Sequence, residues 1–252
     1  VLERAVPVAL ALVFSARTRR TPWMAALLIL LIVLLLTWSR GAWLGCLLGV
    51  AVVSVHFWRR SSVGSKILQM FGGFVLVGFA VLTLGFDRLA LFLRIGDGGV
   101  ASRLSIWDAG WRMIRDHLVF GVGPDNFLSH YRAYMRPDAW REPNISHPHN
   151  LLLDAWLSIG LFGLLALLLA VALFWTTWAC SRRLSNGQPD PFAWGIAGAM
   201  TAGLAHGLVD HGYFLPELAV YFWVLVAAVV VLRRIRSVDD ESLAISGATV
   251  SA

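Results

Sequence analysis

The chain has 252 residues, of which 58% are hydrophobic, and its mean hydropathy is +0.70. This composition is too apolar for a soluble domain, and several apolar runs approach the roughly 20 residues that a helix needs to cross a bilayer. The net charge of +6 indicates cytoplasmic anchoring in a membrane protein and not nucleic-acid binding. The sequence therefore predicts an all-α, polytopic transmembrane helix bundle.

The first third of the chain predicts spanning helices. Residues 5–16 are apolar but short, and they predict the end of a helix. Because the chain begins with Val1 and not Met, we expect earlier membrane helices to precede it. A turn is predicted at residues 37–41. Complete spans are predicted at residues 22–38, 42–58 and 67–86.

A long polar section, residues 87–148, interrupts this pattern. Its first helix is predicted from Ser102, as N-cap, to His117, with an apolar stripe that could lie in the membrane interface or against the bundle. The stripe comprises Leu104, Trp107, Trp111 and Ile114. Residues 121–126 predict a turn, and residues 127–135 predict a second short helix.

The C-terminal part predicts three more spans, which brings the total to about six. Residues 151–178 predict one long helix, and residues 192–209 and 218–232 predict shorter ones, separated by a turn. The tail from residue 237 is polar and predicts disorder. The expected division is therefore helices at 1–86, an extracytoplasmic loop at 87–148, helices at 149–236 and a disordered cytoplasmic tail at 237–252.

The positive-inside rule orients these elements. Alternating the spans puts all the short basic loops on one side, which the rule identifies as cytoplasmic. These loops are residues 17–20, 59–66, 181–183 and 233–236. The turn at Arg40, the 87–148 section and the 210–217 turn then share the extracytoplasmic side. Long loops translocate regardless of charge, so the arginines of the 87–148 section do not oppose this orientation.

Two arginines are candidate anion-binding groups. Arg40 places positive charge at an extracytoplasmic helix end, and Gly41 lets a ligand approach the backbone; ordinary interfacial snorkelling is the alternative. Arg103 is predicted near a helix N-terminus, where a cation is unfavourable to the helix dipole. A bound phosphate would interact favourably with both the helix N-terminus and the guanidinium. The alternative for Arg103 is a solvated pair with Asp97 or Asp108.

The segment around His149 is the strongest candidate for proton transfer. An imidazole titrates near working pH, and His149 stands at the polar entrance of a predicted helix. A capping or interfacial histidine is the alternative. His147 is separated from it by a proline and is predicted to point elsewhere, whereas Asn150 could orient a hydroxyl or cap the helix. Asp154 is costly in lipid and should face the bundle or the site.

A second polar cluster comprises His206, Asp210 and His211. His206 and Asp210 are four residues apart and should share a helix face. With the histidines near residue 149 they could in principle hold a metal, but the spacing matches no strong zinc signature. A buried polar pair that holds helices together is the favoured interpretation.

The order of several motifs resembles the O-antigen ligase family of bacterial membrane glycosyltransferases. The resemblance covers most of residues 22–232, about the C-terminal half of the family's usual length. Asp125 departs from it, because many relatives have glycine there. The motifs are Ser39-Arg40-Gly41, Ser102-Arg103 with Trp107, Gly121-Val122-Gly123-Pro124, His149-Asn150, Gly160-Leu161-Phe162-Gly163, and His206 to Asp210 followed by Pro216.

The resemblance implies an inverting transfer, without metal or cofactor, on the periplasmic face of the inner membrane. The donor would be a glycan on undecaprenyl diphosphate, and the acceptor a hydroxyl of lipid A core, another glycan or a protein. Arg40 and Arg103 would stabilise the leaving diphosphate, and His149 would be the base. The residues expected to contribute to substrate binding are Arg40, Arg103, His147, Asn150, Asp154, His206 and Asp210.

Other functions stay open at this stage. Within the family, the chain could be an O-antigen polymerase or a protein O-oligosaccharyltransferase. A transporter could use the His206 cluster as a proton relay, but that architecture predicts midplane charges and internal repeats, and no repeat is visible. A noncatalytic assembly subunit is the third possibility.

Overall fold

A computed structural model describes residues 2–15, 20–37, 39–58, 99–136, 144–184, 187–210 and 216–250. These residues form α-helices and no β-strand, which confirms the all-α class for the described part of the chain. The predicted span at 67–86 lies outside it. The helices are α1 (Leu2–Ser15), α2 (Arg20–Leu36), α3 (Arg40–Trp58), α4 (Gly99–Asp116), α5 (Phe127–Tyr134), α6 (Leu151–Ile159), α7 (Leu161–Ser181), α8 (Pro191–Val209) and α9 (Pro216–Val250).

Three of the described helices are long and apolar enough to cross a membrane, namely α3, α7 and α8. α2 is apolar but has only 17 residues. α8 begins with Asp190 as its N-cap, since the carboxylate accepts the Phe192 N–H at 2.9 Å and Pro191 needs no such partner. The span predicted at 192–209 therefore has a well-defined start.

The chain divides into two compact units. Unit 1 comprises Val1–Ser54 and Leu165–Ala252, and unit 2 comprises Val55–Leu164. In unit 1, side chains of α7, α8 and α9 form the largest hydrophobic core. Its bulkiest members are Phe174, Trp178, Ile196, Met200, Phe222, Leu225 and Leu232.

Within unit 1, α3 and α8 approach each other closely and run antiparallel. A Cβ added at Gly45 would lie 2.5 Å from the carbonyl oxygen of Ala202, so only a residue without a side chain fits there. The α3 glycines recur every fourth residue, as in close-packed membrane helix pairs. The facing pairs are Gly41 with His206, Gly45 with Ala202 and Gly49 with Gly198.

In unit 2, α4, α5 and α6 enclose a separate apolar core. α4 packs on α6 at Gly110, where an added Cβ would make ordinary contacts with Leu153 and Leu157 at 3.7 and 3.6 Å. The predicted turn at 121–126 and the short helix after it are confirmed by the bounds of α5. The buried core residues are Ile106, Ala109, Met113, Ile114, Phe127, Tyr131, Leu153 and Leu157.

The prediction of one continuous helix over 151–178 is wrong, because the helix breaks at Gly160. This residue has φ 71° and ψ −157°, a region that side chains exclude. The break leaves backbone groups at the two helix ends without intrahelical hydrogen-bond partners. The segment after α4 supplies these partners. The Val122 N–H donates to Leu157 O at 2.7 Å, and the Leu161 N–H donates to Val119 O at 3.1 Å.

Three further boundaries differ from prediction. α3 begins at Arg40, so the turn before it is shorter than the predicted 37–41. α4 begins at Gly99, three residues early, and Ser102 is therefore inside the helix and not its N-cap. The tail predicted to be disordered from residue 237 continues α9 to Val250, because no proline or glycine interrupts residues 217–246.

Candidate functional site

The backbone at residues 146–150 holds His149 in an uncommon conformation. His149 has φ 49°, in the left-handed region that few non-glycine residues occupy. The next residue, Asn150, is the N-cap of α6, and its side-chain oxygen accepts the N–H groups of Leu152 and Leu153 at 3.0 and 3.1 Å. The expected capping role of Asn150 is thus observed, and the cap holds His149 against the start of a helix.

His147 lies next to His149, contrary to the prediction that it points elsewhere. The two ring centroids are 4.3 Å apart. The proline between the two histidines therefore does not separate their rings. His147 also has a polar neighbour, because its Nδ1 lies 2.9 Å from the Ser146 hydroxyl. The two imidazole rings therefore lie side by side.

Helix α4 holds this loop from the other side. The Trp107 indole N–H donates to the carbonyl oxygen of the buried Pro148 at 3.0 Å. Arg103 is four residues before Trp107 in α4, which puts it on the same helix face. Arg103 is half-buried. The structure thus brings Arg103 onto the α4 face that carries the histidine loop.

The structure changes the argument for Arg103. It is the fifth residue of α4, so the helix-start groups that would bind a phosphate belong to residues before it. The prediction of anion binding at Arg103 therefore rests on its guanidinium alone. Asp108, one of the partners considered for Arg103, forms an ion pair with Arg112 one turn away. Asp97, the other partner considered for Arg103, lies outside the described residues.

Asp154 is in the first turn of α6 and is half-buried. A carboxylate there is favoured by the positive end of the helix dipole.

In unit 1, the start of α3 and the end of α8 form a second polar site. Ser39 caps α3 by accepting the Ala42 N–H at 3.2 Å, and Arg40, the first helical residue, is exposed. A Cβ at Gly41 would lie 2.7 Å from Cδ2 of His206. The His206 ring therefore packs on the backbone beside Arg40, which explains why glycine follows Arg40.

A buried acid, which sequence reasoning missed, contacts His206. Nδ1 of His206 lies 3.3 Å from a carboxylate oxygen of Glu3, and the same oxygen is 3.4 Å from Nε of Arg4. The Arg4 guanidinium also stands 5.5 Å from the centre of the Tyr221 ring. Glu3 and Arg4 are 2% exposed. Two charged residues before an apolar run were the available signal, because charges inside a membrane bundle commonly mark function.

The last predicted site residue that the structure describes is Asp210, at the end of α8. Asp210 is the C-cap of α8 and has extended backbone, so the helical spacing that predicted a face shared with His206 does not apply to it. Its N–H donates to His206 O at 2.8 Å. His211 lies outside the described residues. Within the described ranges, no group of three or more His, Cys, Asp or Glu residues is placed to hold a metal.

Three helices that are long and apolar enough to cross a bilayer, with histidine and arginine side chains near helix ends, are typical of a membrane protein. Comparison with known families is specific. The family model described as O-antigen ligase matches residues 25–168, more than half of the chain. The chain belongs to the O-antigen ligase family, a family of membrane glycosyltransferases. Among curated proteins, none matches the chain.

Proposed function

We propose that this protein transfers a glycan from undecaprenyl diphosphate to an acceptor hydroxyl on the extracytoplasmic face of the inner membrane. The observation that carries the proposal is the family match, because residues 25–168 contain Arg40, Arg103 and His149. The reaction is an inverting displacement that needs no metal. The acceptor is a sugar hydroxyl of lipid A core, with another glycan or a protein as the alternatives within the family.

His149 is the proposed general base. The acceptor oxygen attacks the anomeric carbon, the bond from that carbon to the diphosphate breaks, and the hydroxyl proton passes to the His149 imidazole. The rigid attachment of the loop supports this role. The Asn150 cap and the Trp107 hydrogen bond hold the backbone on both sides of His149.

Arg103 and Arg40 are proposed to stabilise the leaving diphosphate. An arginine can hold two phosphate oxygens at once and is always charged, so it stabilises the charge that develops as the glycosidic bond breaks. Arg103 is supported by its place on the α4 face beside Trp107. Arg40 is supported by the predicted topology, which puts its turn on the same side of the membrane as the 87–148 section.

The other predicted residues are proposed to bind substrate. His147 pairs with His149, and Asp154 follows the Asn150 cap in the first turn of α6. In unit 1, His206 packs beside Arg40, with Asp210 at the end of the same helix. Glu3 accepts a hydrogen bond from His206 when Nδ1 carries the proton, and Nε2 lies beside the Gly41 backbone.

The test is transfer activity of the full-length protein in proteoliposomes, with and without EDTA. We expect His149→Ala to lose about 10²–10⁴-fold in rate. Arg103→Ala and Arg40→Ala should each lose about 10²–10³-fold. Matched controls are His130→Ala on α5 and Arg112→Ala on α4, which should keep activity near the parent level.

The outcomes separate the competing functions. Full activity in His149→Ala contradicts the general base, and loss of activity in EDTA contradicts the metal-free reaction. Transfer to a second donor glycan, in place of lipid A core, would identify a polymerase. Absence of transfer with any acceptor, together with proton-coupled substrate uptake, would identify a transporter.

A further inference from the structure

Unit 2 carries a cluster of large apolar side chains on its surface. Phe120 has 78% of its surface exposed and Phe162 has 60%, values far above those of core residues. A contiguous patch of this kind marks an interaction site and not an ordinary protein surface. We call it the apolar rim, and it comprises Trp111, Leu118, Val119, Phe120, Ile159 and Phe162.

The rim is one surface although its residues come from different elements. The rings of Phe120 and Phe162 have centroids 6.5 Å apart, which joins the turn after α4 to the start of α7. The rings of Trp111 and Trp156 are 6.0 Å apart, which joins α4 to α6. The exposed side chains therefore stand together.

The backbone under the rim is suited to a medium without water. Irregular backbone in an apolar phase must satisfy its polar groups internally. The turn does so at several points, since Leu118 O accepts the Trp156 indole N–H at 2.9 Å and Val119 O accepts the Leu161 N–H at 3.1 Å. The Gly121 N–H donates to His117 O at 2.8 Å.

The position of Phe162 indicates what covers the rim. Phe162 is the second residue of α7, a candidate membrane span of which only 11% is buried. Exposed apolar residues continue from Phe162 along one face of α7 at helical spacing, which is the pattern of a lipid-facing helix. They are Leu165, Leu169 and Leu173. Phe162 therefore belongs both to the rim and to this apolar face of α7.

We propose that the apolar rim is inserted into the lipid bilayer near the headgroups, with Phe120 as the deepest side chain. The partner is lipid and not another protein. The residues around the rim fit that depth, because Arg115 and Asp116 are exposed on the last turn of α4 and tryptophans concentrate at bilayer interfaces. This inference does not depend on the proposed reaction.

The test is spin-label accessibility in the full chain, reconstituted in phosphatidylethanolamine and phosphatidylglycerol vesicles. Phe120→Cys is labelled with a nitroxide in a Cys180→Ala background, since the other cysteine, Cys46, is buried. Collisions with oxygen, which concentrates in lipid, are compared with collisions with the water-soluble nickel complex of EDDA. Ala133→Cys on α5, which is exposed and not part of the rim, is the matched control.

We expect the Phe120→Cys label to collide mainly with oxygen and the Ala133→Cys label mainly with nickel. Nickel access at position 120 equal to that at position 133 would overturn the proposal. Low access to both reagents at position 120 would also overturn it, because protein would then cover the rim. Val119→Cys provides a second labelling position, with the same expectation, if Phe120→Cys is not obtained in folded form.

Discussion

The α3–α8 helix pair of unit 1 and the α6–α7 junction of unit 2 both depend on glycine, for different reasons. At Gly45 a side chain would strike the carbonyl oxygen of Ala202 on a neighbouring helix. At Gly160 a side chain would strike the carbonyl group of Val119, and the backbone conformation itself, with φ 71° and ψ −157°, excludes one. The first glycine permits close packing, and the second permits an irregular chain path.

The two regions also differ in how their backbone N–H and C=O groups are hydrogen-bonded. In the α3–α8 pair the helices satisfy their own backbone, and the glycines only reduce the distance between them. At the α6–α7 junction the backbone groups are satisfied by residues 119–122, far away in sequence, as in the bonds from the Val122 N–H to Leu157 O and from the Leu161 N–H to Val119 O. A side chain should therefore be tolerated less well at the junction than in the helix pair.

Gly160→Ala should have the largest effect. It adds backbone strain of about 1–3 kcal/mol, and the displaced segment adds a packing cost of similar size. We expect a lower unfolding midpoint in detergent, measured by tryptophan fluorescence, and lost transfer activity, because α6 carries the Asn150 cap. A midpoint equal to the parent's would mean that the junction is not held as described.

Gly45→Ala should have a smaller effect, because only the helix separation must change. Overpacking costs about 1–3 kcal/mol, offset in part by the roughly 1 kcal/mol helix preference of alanine over glycine. Ala51→Leu, at an exposed position of the same helix, is the control and should leave the midpoint unchanged. An equal loss in the two variants would contradict the close α3–α8 contact.

The sequence predicted the regular parts of this fold well. The run at 192–209 is apolar and is preceded by Asp190 and Pro191, so local signals mark α8 at its start. The break at Gly160 could not be predicted in the same way, because the apolar run continues through it. Its cause is the set of hydrogen bonds to residues 119–122, and hydropathy does not record such distant partners.

The candidate site also combines residues that the sequence predicts with contacts that only the folded chain shows. His149, Arg103 and Arg40 could be selected from residue type and position, and their roles stay predictions. The contact between the His147 and His149 rings could not, because no sequence pattern indicates the positive φ angle at His149 or the closeness of the two rings. The contact from Glu3 to His206 joins residues 203 apart in the sequence, and only the folded chain shows it.

Asn150→Ala tests whether the junction region also positions the base. Loss of the N-cap should cost about 1 kcal/mol of stability. Transfer activity should fall further than the change in the unfolding midpoint implies, because the capping bonds hold Asn150 and so the backbone that follows His149. Asn126→Ala, at the N-cap position of α5 where no side-chain cap bond is made, is the matched control. Parallel changes in both measurements would reduce Asn150 to a structural role.

Gly110→Ala should act in the opposite direction. Gly110 is in the interior of α4, and an added Cβ would meet Leu157 and Leu153 at ordinary contact distances of 3.6 and 3.7 Å. Alanine is favoured over glycine in a helix interior by up to about 1 kcal/mol. We expect a higher unfolding midpoint with unchanged activity. A lower midpoint would show that α4 and α6 pack more tightly than these distances allow.

Tyr134→Phe should have the smallest effect, and its sign depends on pH. The Tyr134 hydroxyl donates to a carboxylate oxygen of Asp116 at 2.8 Å, and this bond raises the pKa of Tyr134 above its ordinary value. A group whose pKa is raised on folding stabilises the folded state below the unfolded pKa of about 10, and loses that contribution as pH rises through the folded pKa.

Parent and Tyr134→Phe should therefore differ in stability near neutral pH, by no more than about 0.5 kcal/mol because the pair is exposed. The difference should vanish at alkaline pH, where the parent tyrosine ionises beside Asp116. The measurement is the unfolding midpoint of both proteins from pH 7 upward. A difference that persists unchanged above the tyrosine transition would mean that the ring, and not its hydroxyl, provides the contribution. The hydrogen bond between α4 and α5 would then contribute nothing to the stability of unit 2.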